Sequence, residues 1–582
     1  MTAKTQRYLL VALSMVAFGI AISANRAIEH RAHQNKLLAD KEQLANDALQ
    51  KFTDERIYLH FDKSFYKPGE SIWFQAYLRD ETTLLPSQVS DFVNVELSDP
   101  KGSVLKKIKL FADEGRASGD FELPSTAVGG LYKVKAFTNW QKNDTTNLIF
   151  EKQLQVQSVV LPRLKMNLDF KKKSYGLSDL IQVDFKAEEN DNTPLAFQSF
   201  TYVLQLDGEE VMRHESHTTN EGTAAIEFKI PGQTTPENAL LNVIINHEGF
   251  NESISRAVPL ALNKVELVFY PEGGELINGL NNRIAFAATD HKGKEIEVAG
   301  DIVDEGGKKV TDFESFYGGM GSFEMRCRKG QKYFAKVTSP VKSNELIELP
   351  LARDEGVAMQ VNDVGNDQLS ISIHAKKDEE LSVVGMTRGK VYYKGAIHAG
   401  KGKNNLMVAQ QDFPMGVCRF TLFDSKGVAQ CERLAFANYK GGLNVKIITD
   451  KEQYKPREEV KLRLEVTDHN NQPVRSQLSL SVVDDQLLSF ADDKQSGILG
   501  KMLLEPELHG SVKDAGFYFD PDEEKARKAL DYLLMTRGWR KFSWTRIEGD
   551  PIAISHMPEM ARVGGHIIST YGNKPIEGVK VV

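Results

Sequence analysis

An all-β fold, a tandem row of β-sandwiches with an N-terminal export helix and a short helical insert near 522–537, is what this 582-residue sequence predicts. The first observation behind it is a phrase that occurs twice. Asp62-Lys63-Ser64-Phe65-Tyr66-Lys67-Pro68-Gly69-Glu70 returns as Asp450-Lys451-Glu452-Gln453-Tyr454-Lys455-Pro456-Arg457-Glu458, each time as a charged Pro-containing turn between strand-like runs. Recurrence of one supersecondary unit marks an array. The second observation is spacing. A weaker copy, Lys172-Lys173-Ser174-Tyr175-Gly176-Leu177-Ser178-Asp179, follows the first by about one sandwich length and the strong copy by about four, for immunoglobulin-sized modules of roughly 100 residues. The third is texture: period-2 alternation runs through most of the chain after Arg56 and is broken by one helical stretch near 522–537.

The elements follow in order. Lys4 and Arg7 precede an uncharged run, Tyr8 to Ala24, with small residues at its end, which reads as a secretory signal or an uncleaved membrane anchor over 1–24. No Cys lies near its end, which excludes a lipid-modified N-terminal Cys. Residues 25–55 carry Leu37/Leu38, Leu44/Ala45, Ala48/Leu49 and Phe52 at helical spacing among many charges, the pattern of a helical spacer expected to stand as a solvated stalk. Sandwich 1, 56–160, shows Ile57/Leu59/Phe61, Ile72/Phe74/Ala76 and Val93/Val95/Leu97 in alternation. Sandwich 2 is placed at 161–262, sandwich 3 at 263–350, sandwich 4 at 351–441 with a closing hairpin Phe420–Phe423/Arg433–Phe436, and sandwich 5 at 442–558. The helical insert of sandwich 5 has Ala526, Ala529, Leu530, Leu533 and Leu534 on one face, opens after Asp520-Pro521-Asp522 and stops at Gly538. Its aromatic tail, Trp539, Phe542 and Trp544, is expected to pack on the preceding sandwich. Residues 559–582 hold two strands of a further small domain and stop in mid-strand, so the chain is expected to be a piece of a longer protein.

Composition narrows the function classes. Aliphatic and aromatic residues make up 41 %, enough for several cores, while a net charge of -7 and a pI near 6.1 argue against nucleic acid as a partner. Cys327, Cys418 and Cys431 are too few and too scattered for a disulfide framework or zinc site, and the last two are expected as buried apolar thiols.

The phrase at 62–70 followed by Ile72-Trp73-Phe74 resembles the start of the second macroglobulin domain of the alpha-2-macroglobulin superfamily. The phrase at 450–458 with Ser479-Leu480-Ser481-Val482-Val483-Asp484 resembles the later macroglobulin domain that leads into the bait region, with Arg457 where the pattern has Gly. Gly130-Leu131-Tyr132, Ala136-Phe137-Thr138-Asn139-Trp140, Tyr270-Pro271-Glu272-Gly273-Gly274, Gly319-Met320-Gly321 and Arg537-Gly538-Trp539 look like a bacterial envelope subfamily. There, macroglobulin-like domains precede a carboxypeptidase-regulatory-like domain, whose opening 560–582 resembles, and sometimes a TonB-receptor plug. The thioester used by protease-conjugating members needs Cys-Gly-Glu-Gln, and none of the three cysteines stands in that setting.

Other candidates have plain turn or strand readings. His214-Glu215-Ser216-His217 has its imidazoles three apart, not four as the zinc-protease motif needs. Tyr317-Gly318-Gly319-Met320-Gly321 lacks the Lys-Ser/Thr of a phosphate loop, and Asn190–Pro194 and Asp468–Pro473 carry oxygen ligands where the repeat wants turns. No catalytic, cofactor, metal or thioester residue is assigned. The expectation is a non-enzymatic scaffold or binding protein, exported to the periplasm, outer membrane or cell surface of a Gram-negative bacterium, with envelope proteins or a ligand as partners and a resemblance-implied link to TonB-dependent uptake. The alternative is a macroglobulin-type endopeptidase inhibitor that captures proteases sterically, with 491–525 as lure.

Overall fold

In the computed structural model the described residues are 32–49, 54–143, 149–157, 164–172, 175–231, 236, 238–260, 265–290, 293–340, 342, 345–483, 497–510, 512, 514–539 and 554–561. They fall into two compact units. The export segment 1–24, Phe542, Trp544 and the two strands expected at 563–582 lie outside the described residues.

One strand order recurs. In the first sandwich, Glu55–Phe61, Ser71–Asp80 and Arg116–Glu122 form one sheet, and Val104–Phe111, Phe92–Ser98, Gly130–Phe137 and Phe150–Val156 form the other, extended at its edge by Phe65–Tyr66. Counting the long strands, the sheets read 1-2-5 and 4-3-6-7. The same two orders return for the strands of 164–257, 265–348 and 357–437, so the array is tandem immunoglobulin-like sandwiches. The predicted alternation points inward as expected: Ile57, Leu59, Ile72, Ala76, Val93, Val95 and Leu97 are buried. At 444–467 the described residues show strands 1 and 2 of the repeat as a hairpin, Asn444–Thr449 paired with Leu462–Thr467.

The repeated phrase owes its persistence to one hydrogen-bond pattern. Tyr66 Oη donates to Asp62 Oδ1 at 2.6 Å, Lys63 pairs with Glu70 at 2.7 Å, and Lys67 N–H donates to Glu70 Oε2 at 2.8 Å. In the later copy Tyr454 donates to Asp450 at 2.5 Å, Lys451 pairs with Glu458, and Lys455 N–H reaches Glu458 Oε2 at 2.8 Å. The weak copy keeps the lysine, tyrosine and acid: Lys172 lies 3.8 Å from Asp179, and Gly176 N–H donates to Asp179 Oδ2 at 3.1 Å. Lys171 stands where Asp62 would be, so Tyr175 Oη turns to Gln182 O at 2.9 Å instead. In all three the lysine ammonium also sits 5.0–5.7 Å over the tyrosine ring. A second recurrent device closes the turn after strand 2 through the bridges Arg79–Pro86, Glu188–Pro194, Thr289–Glu295 and Thr467–Pro473.

The 25–55 stretch departs from expectation. Its described part, 32–49, is helical, but it does not stand free as a stalk: Leu38 and Ala45 are buried against Val384, Met386, Val391 and Phe423 on the outer face of the fourth sandwich. Gln34 donates to Glu380 at 3.0 Å, Lys41 lies 4.8 Å over the Phe423 ring, and Glu42 pairs with Lys394. The strand Glu379–Thr387 is therefore covered on both faces, Leu381 and Val383 inward and Val384 and Met386 toward the helix.

Loss of the tyrosine hydroxyl should matter according to burial. Tyr66→Phe removes both bonds of a buried tyrosine, leaving Asp62 Oδ1 with Trp73 N–H alone at 3.1 Å, and is expected to cost about 1–2 kcal/mol of local opening free energy in Ser71–Asp80, read by amide hydrogen exchange. Tyr454→Phe, in a partly exposed copy, is expected to cost about 0.5 kcal/mol or less in Leu462–Thr467. Equal costs would contradict this account of the phrase.

Candidate functional site

Three separate sequence motifs meet at one place. Tyr270–Gly274 ends the first strand of the third sandwich, Gly319–Gly321 opens that sandwich's fifth strand, Met320–Arg326, and Arg537–Trp539 follows the helix Ala526–Thr536. The helix is amphipathic as predicted, but its buried face, including Ala529, Leu530, Leu533 and Leu534, packs on Ala285 and Met320 of the third sandwich and on Val417 and Leu434 of the fourth. Trp539 likewise packs on the third sandwich, with Nε1 donating to Pro271 O at 2.9 Å and its ring edge-on to Tyr270, rather than on the sandwich that precedes the helix in sequence. Thr536 Oγ1 lies 3.1 Å from Met320 Sδ. Gly319 is required here: its φ is +72°, and a Cβ would come within 2.5 Å of Ala288 O.

At the centre is Glu272, 5 % exposed. Arg283 grips it in a fork, Nε to Oε2 at 2.6 Å and a terminal nitrogen to Oε1 at 2.7 Å, while Arg433 Nε donates to Oε1 at 2.9 Å and Val361 N–H at 3.1 Å. Arg433 continues to Asp531 Oδ1 on the helix at 2.5 Å, and Arg283 lies 3.7 Å from Asp531 Oδ2. Two cations and two anions from two sandwiches and the helix thus neutralise one another. Burial alone lowers the Arg283 pKa, yet Glu272 and Asp531 hold it well above its ordinary value. No member is left to act as base, nucleophile or anion receptor, and the arrangement works as a staple.

The other candidates are dispersed. His214 and His217 lie on the edge strand Glu209–His217, three residues apart and hence on opposite faces. Tyr317 stacks on Phe517 with ring centroids 3.8 Å apart, making the Gly-rich segment a packing turn. Asp191 Oδ1 accepts from Thr193 N–H at 2.9 Å, and Asp468 Oδ1 accepts from Asn470 and Gln472 N–H at 2.8 and 2.9 Å, which is turn chemistry at both sites. Among the described residues no group of three His, Cys, Asp or Glu is placed to hold a metal ion. The three cysteines are free and buried. Cys418 faces Ala435 and Cys431 faces Leu422 across their hairpin, so they are not opposite one another. The described part of 491–525 is not a loose polar stretch: Met502, Leu503, Leu504, Leu508, Ala515 and Tyr518 are buried.

In the other unit, the first sandwich buries Glu55, whose carboxylate accepts from Ser87 Oγ at 2.5 Å, Ser90 Oγ at 2.8 Å and Thr138 Oγ1 at 2.7 Å. Segment 554–561 docks on this sandwich through Asn139 to Met557 O at 2.8 Å, Asp91 N–H to Glu559 O at 2.9 Å and Lys109 to Glu559 at 2.9 Å.

Burial pushes the Cys418 and Cys431 thiols up to about 12 and Cys327 up to about 11. Iodoacetamide at pH 8 is therefore expected to leave all three unmodified in the native chain and to alkylate all three in guanidinium, as read by intact mass. Fast native alkylation at any of them would contradict their placement.

The comparisons with known proteins follow this geometry. Residues 56–156, the first sandwich, match the MG2 domain family. A curated relative, alpha-2-macroglobulin of Thermotoga maritima, is 21 % identical over 433 residues, covering 71 % of this chain and 27 % of its own length. Similar solved structures include trypsin-activated alpha-2-macroglobulin from Escherichia coli, at 10 % identity with a TM-score of 0.43 over 78 % of this chain and 36 % of that one. Another is Salmonella alpha-2-macroglobulin reacted with methylamine, at 12 % identity with a TM-score of 0.34 over 77 % and 34 %. The chain thus spans about a quarter of that curated relative. The MG2 match and the Thermotoga relative together support an alpha-2-macroglobulin-like protein.

Proposed function

We propose that this chain is the macroglobulin-like part of a non-enzymatic cell-envelope scaffold, exported beyond the cytoplasm, whose sandwich surfaces bind other envelope proteins or a ligand. The observation that carries this reading is the Glu272 staple: the motifs that stand out in the sequence converge on a closed, internally paired junction that holds sandwiches in place. Scaffolds need fixed spacing between binding surfaces, and loops at the ends of rigid sandwiches supply such surfaces. The link to TonB-dependent uptake belongs to this proposal and rests on the subfamily resemblance alone.

Steric protease capture is the second reading, favoured by the name of the Thermotoga relative. It needs accessible cleavage sites within 491–525, whereas 498–507 is helical and carries four buried residues, Gly500, Met502, Leu503 and Leu504.

Limited proteolysis separates the two. Incubated with trypsin or elastase, the scaffold is expected to leave the protease fully active on protein-sized substrates, with no early cuts at 497–525. Early cuts there, together with loss of activity toward proteins but not small peptides, would establish capture. Turnover in a hydrolase screen would overturn both.

A further inference from the structure

A cavity of about 730 Å³ opens to solvent on the third sandwich, between residues 326–329 at the end of the strand Met320–Arg326 and residues 354–355 that lead into the fourth sandwich. Asn278 also lines it, and Lys376, just after the strand Gln368–Ala375, reaches it from the fourth sandwich. Of the six charged side chains on its wall four are cations, Arg326, Arg328, Lys329 and Lys376, against Asp354 and Glu355.

Among the described residues, Lys329 is the cation of this wall that closes on a carboxylate. Its Nζ lies 2.9 Å from Asp354 Oδ2, and Asn278 Nδ2 donates to Asp354 Oδ1 at 2.9 Å, so both oxygens of that acid are taken. Lys376 Nζ donates to the backbone carbonyl of Asp354, and Arg326 Nε donates to Gly279 O at 2.7 Å. A carbonyl orients a cation without cancelling its charge. The Arg328 guanidinium and the Glu355 carboxylate have no partner among the described residues. Arg353, beside Asp354 in the chain, pairs with Glu275 at 2.5 Å and adds nothing to the balance. The wall is left with two positive charges in excess. Asn278 is 6 % exposed, and its Oδ1 has no partner among the described residues, so the wall also lacks a donor.

We propose that this cavity binds a small molecule that carries a phosphomonoester. Such a group is close to a dianion at neutral pH and presents three acceptor oxygens, which matches both the excess of two charges and the unused N–H groups of Arg328 and of the Arg326 terminal nitrogens. A single carboxylate would leave one of the two charges uncompensated. The volume lies within the range of small-molecule sites, roughly 300–1,000 Å³, so the body of the ligand has room beside its phosphate, where Glu355 can accept from a hydroxyl. Neither the Glu272 staple nor 491–525 takes part, and the site stands whether the array scaffolds or captures.

Titration calorimetry on the full chain tests this, with glucose 1-phosphate as probe and glucose and succinate as comparisons. Glucose 1-phosphate is expected to bind at least about tenfold more tightly than either. Arg328→Gln should weaken it by about tenfold or more and Lys376→Gln by about threefold or more. Glu355→Gln, which removes the unpaired acid, should instead tighten inorganic phosphate by about threefold. Lys101→Gln, on an exposed turn of the first sandwich, should change neither affinity. All four side chains are exposed, so each variant is expected to keep its melting temperature without ligand. No heat of binding with glucose 1-phosphate, equal affinity for succinate, or equal losses from Lys101→Gln and Arg328→Gln would overturn the proposal.

Discussion

Burying Glu272 is the constraint on which the third sandwich, the fourth and the helix 526–536 jointly depend. A carboxylate that leaves water must be repaid by close cations and hydrogen bonds, and here the repayment comes from three elements distant in sequence: Arg283, Arg433 with Val361 N–H, and Asp531 to balance the second arginine. Removing Glu272 leaves two buried arginines short of their shared anion, whereas Asp531 sits at the partly exposed rim of the cluster. Such clusters add little to net stability compared with apolar packing, so their value lies in fixing one arrangement among several that greasy surfaces would tolerate. Around the staple, Leu530, Leu533 and Leu534 supply the apolar contact, and Trp539 ties the chain leaving the helix to Pro271.

Much of the fold was legible because its signals are local. The period-2 runs at Ile57–Phe61, Ile72–Ala76 and Val93–Leu97 report one-sided burial directly. The Lys–Tyr–acid phrase is a self-contained hydrogen-bond circuit, closed within nine residues, so its recurrence in sequence implies its recurrence in space. The helix at 526–536 announced itself by its apolar face. The turns at 190–194 and 468–473 were readable as turns for the same reason, since an Asp oxygen satisfying backbone N–H groups two to four residues on needs nothing from the rest of the chain.

What escaped the sequence depends on long-range pairing. Helical periodicity at 37–49 shows that one face is apolar but not what it meets, and the stalk reading supposed that nothing met it. The signal that could have corrected it sits elsewhere: Leu381-Ser382-Val383-Val384-Gly385-Met386 lacks the alternation of a one-sided strand, which is the mark of cover on both faces. Likewise, a helix following the fifth repeat in sequence reads as part of it, and it is long-range contact, Leu530, Leu533 and Leu534 on the apolar side and Asp531 facing two distant arginines, that places it on sandwiches three and four. The packed state of 497–508 was hidden because Lys501, Glu505 and Glu507 give it a polar look while Met502, Leu503, Leu504 and Leu508 do the packing.

The central claim is that one buried carboxylate couples three elements into a cooperative unit. Amide hydrogen exchange on the full chain carrying Glu272→Gln, which keeps the side-chain shape and removes the charge, tests it directly. The staple predicts faster exchange together in Asn281–Asp290, Ala429–Ala437 and Ala526–Thr536, by about a hundredfold for a loss on the order of 3 kcal/mol. Acceleration confined to residues 270–274, with the fourth sandwich and the helix unchanged, would contradict it.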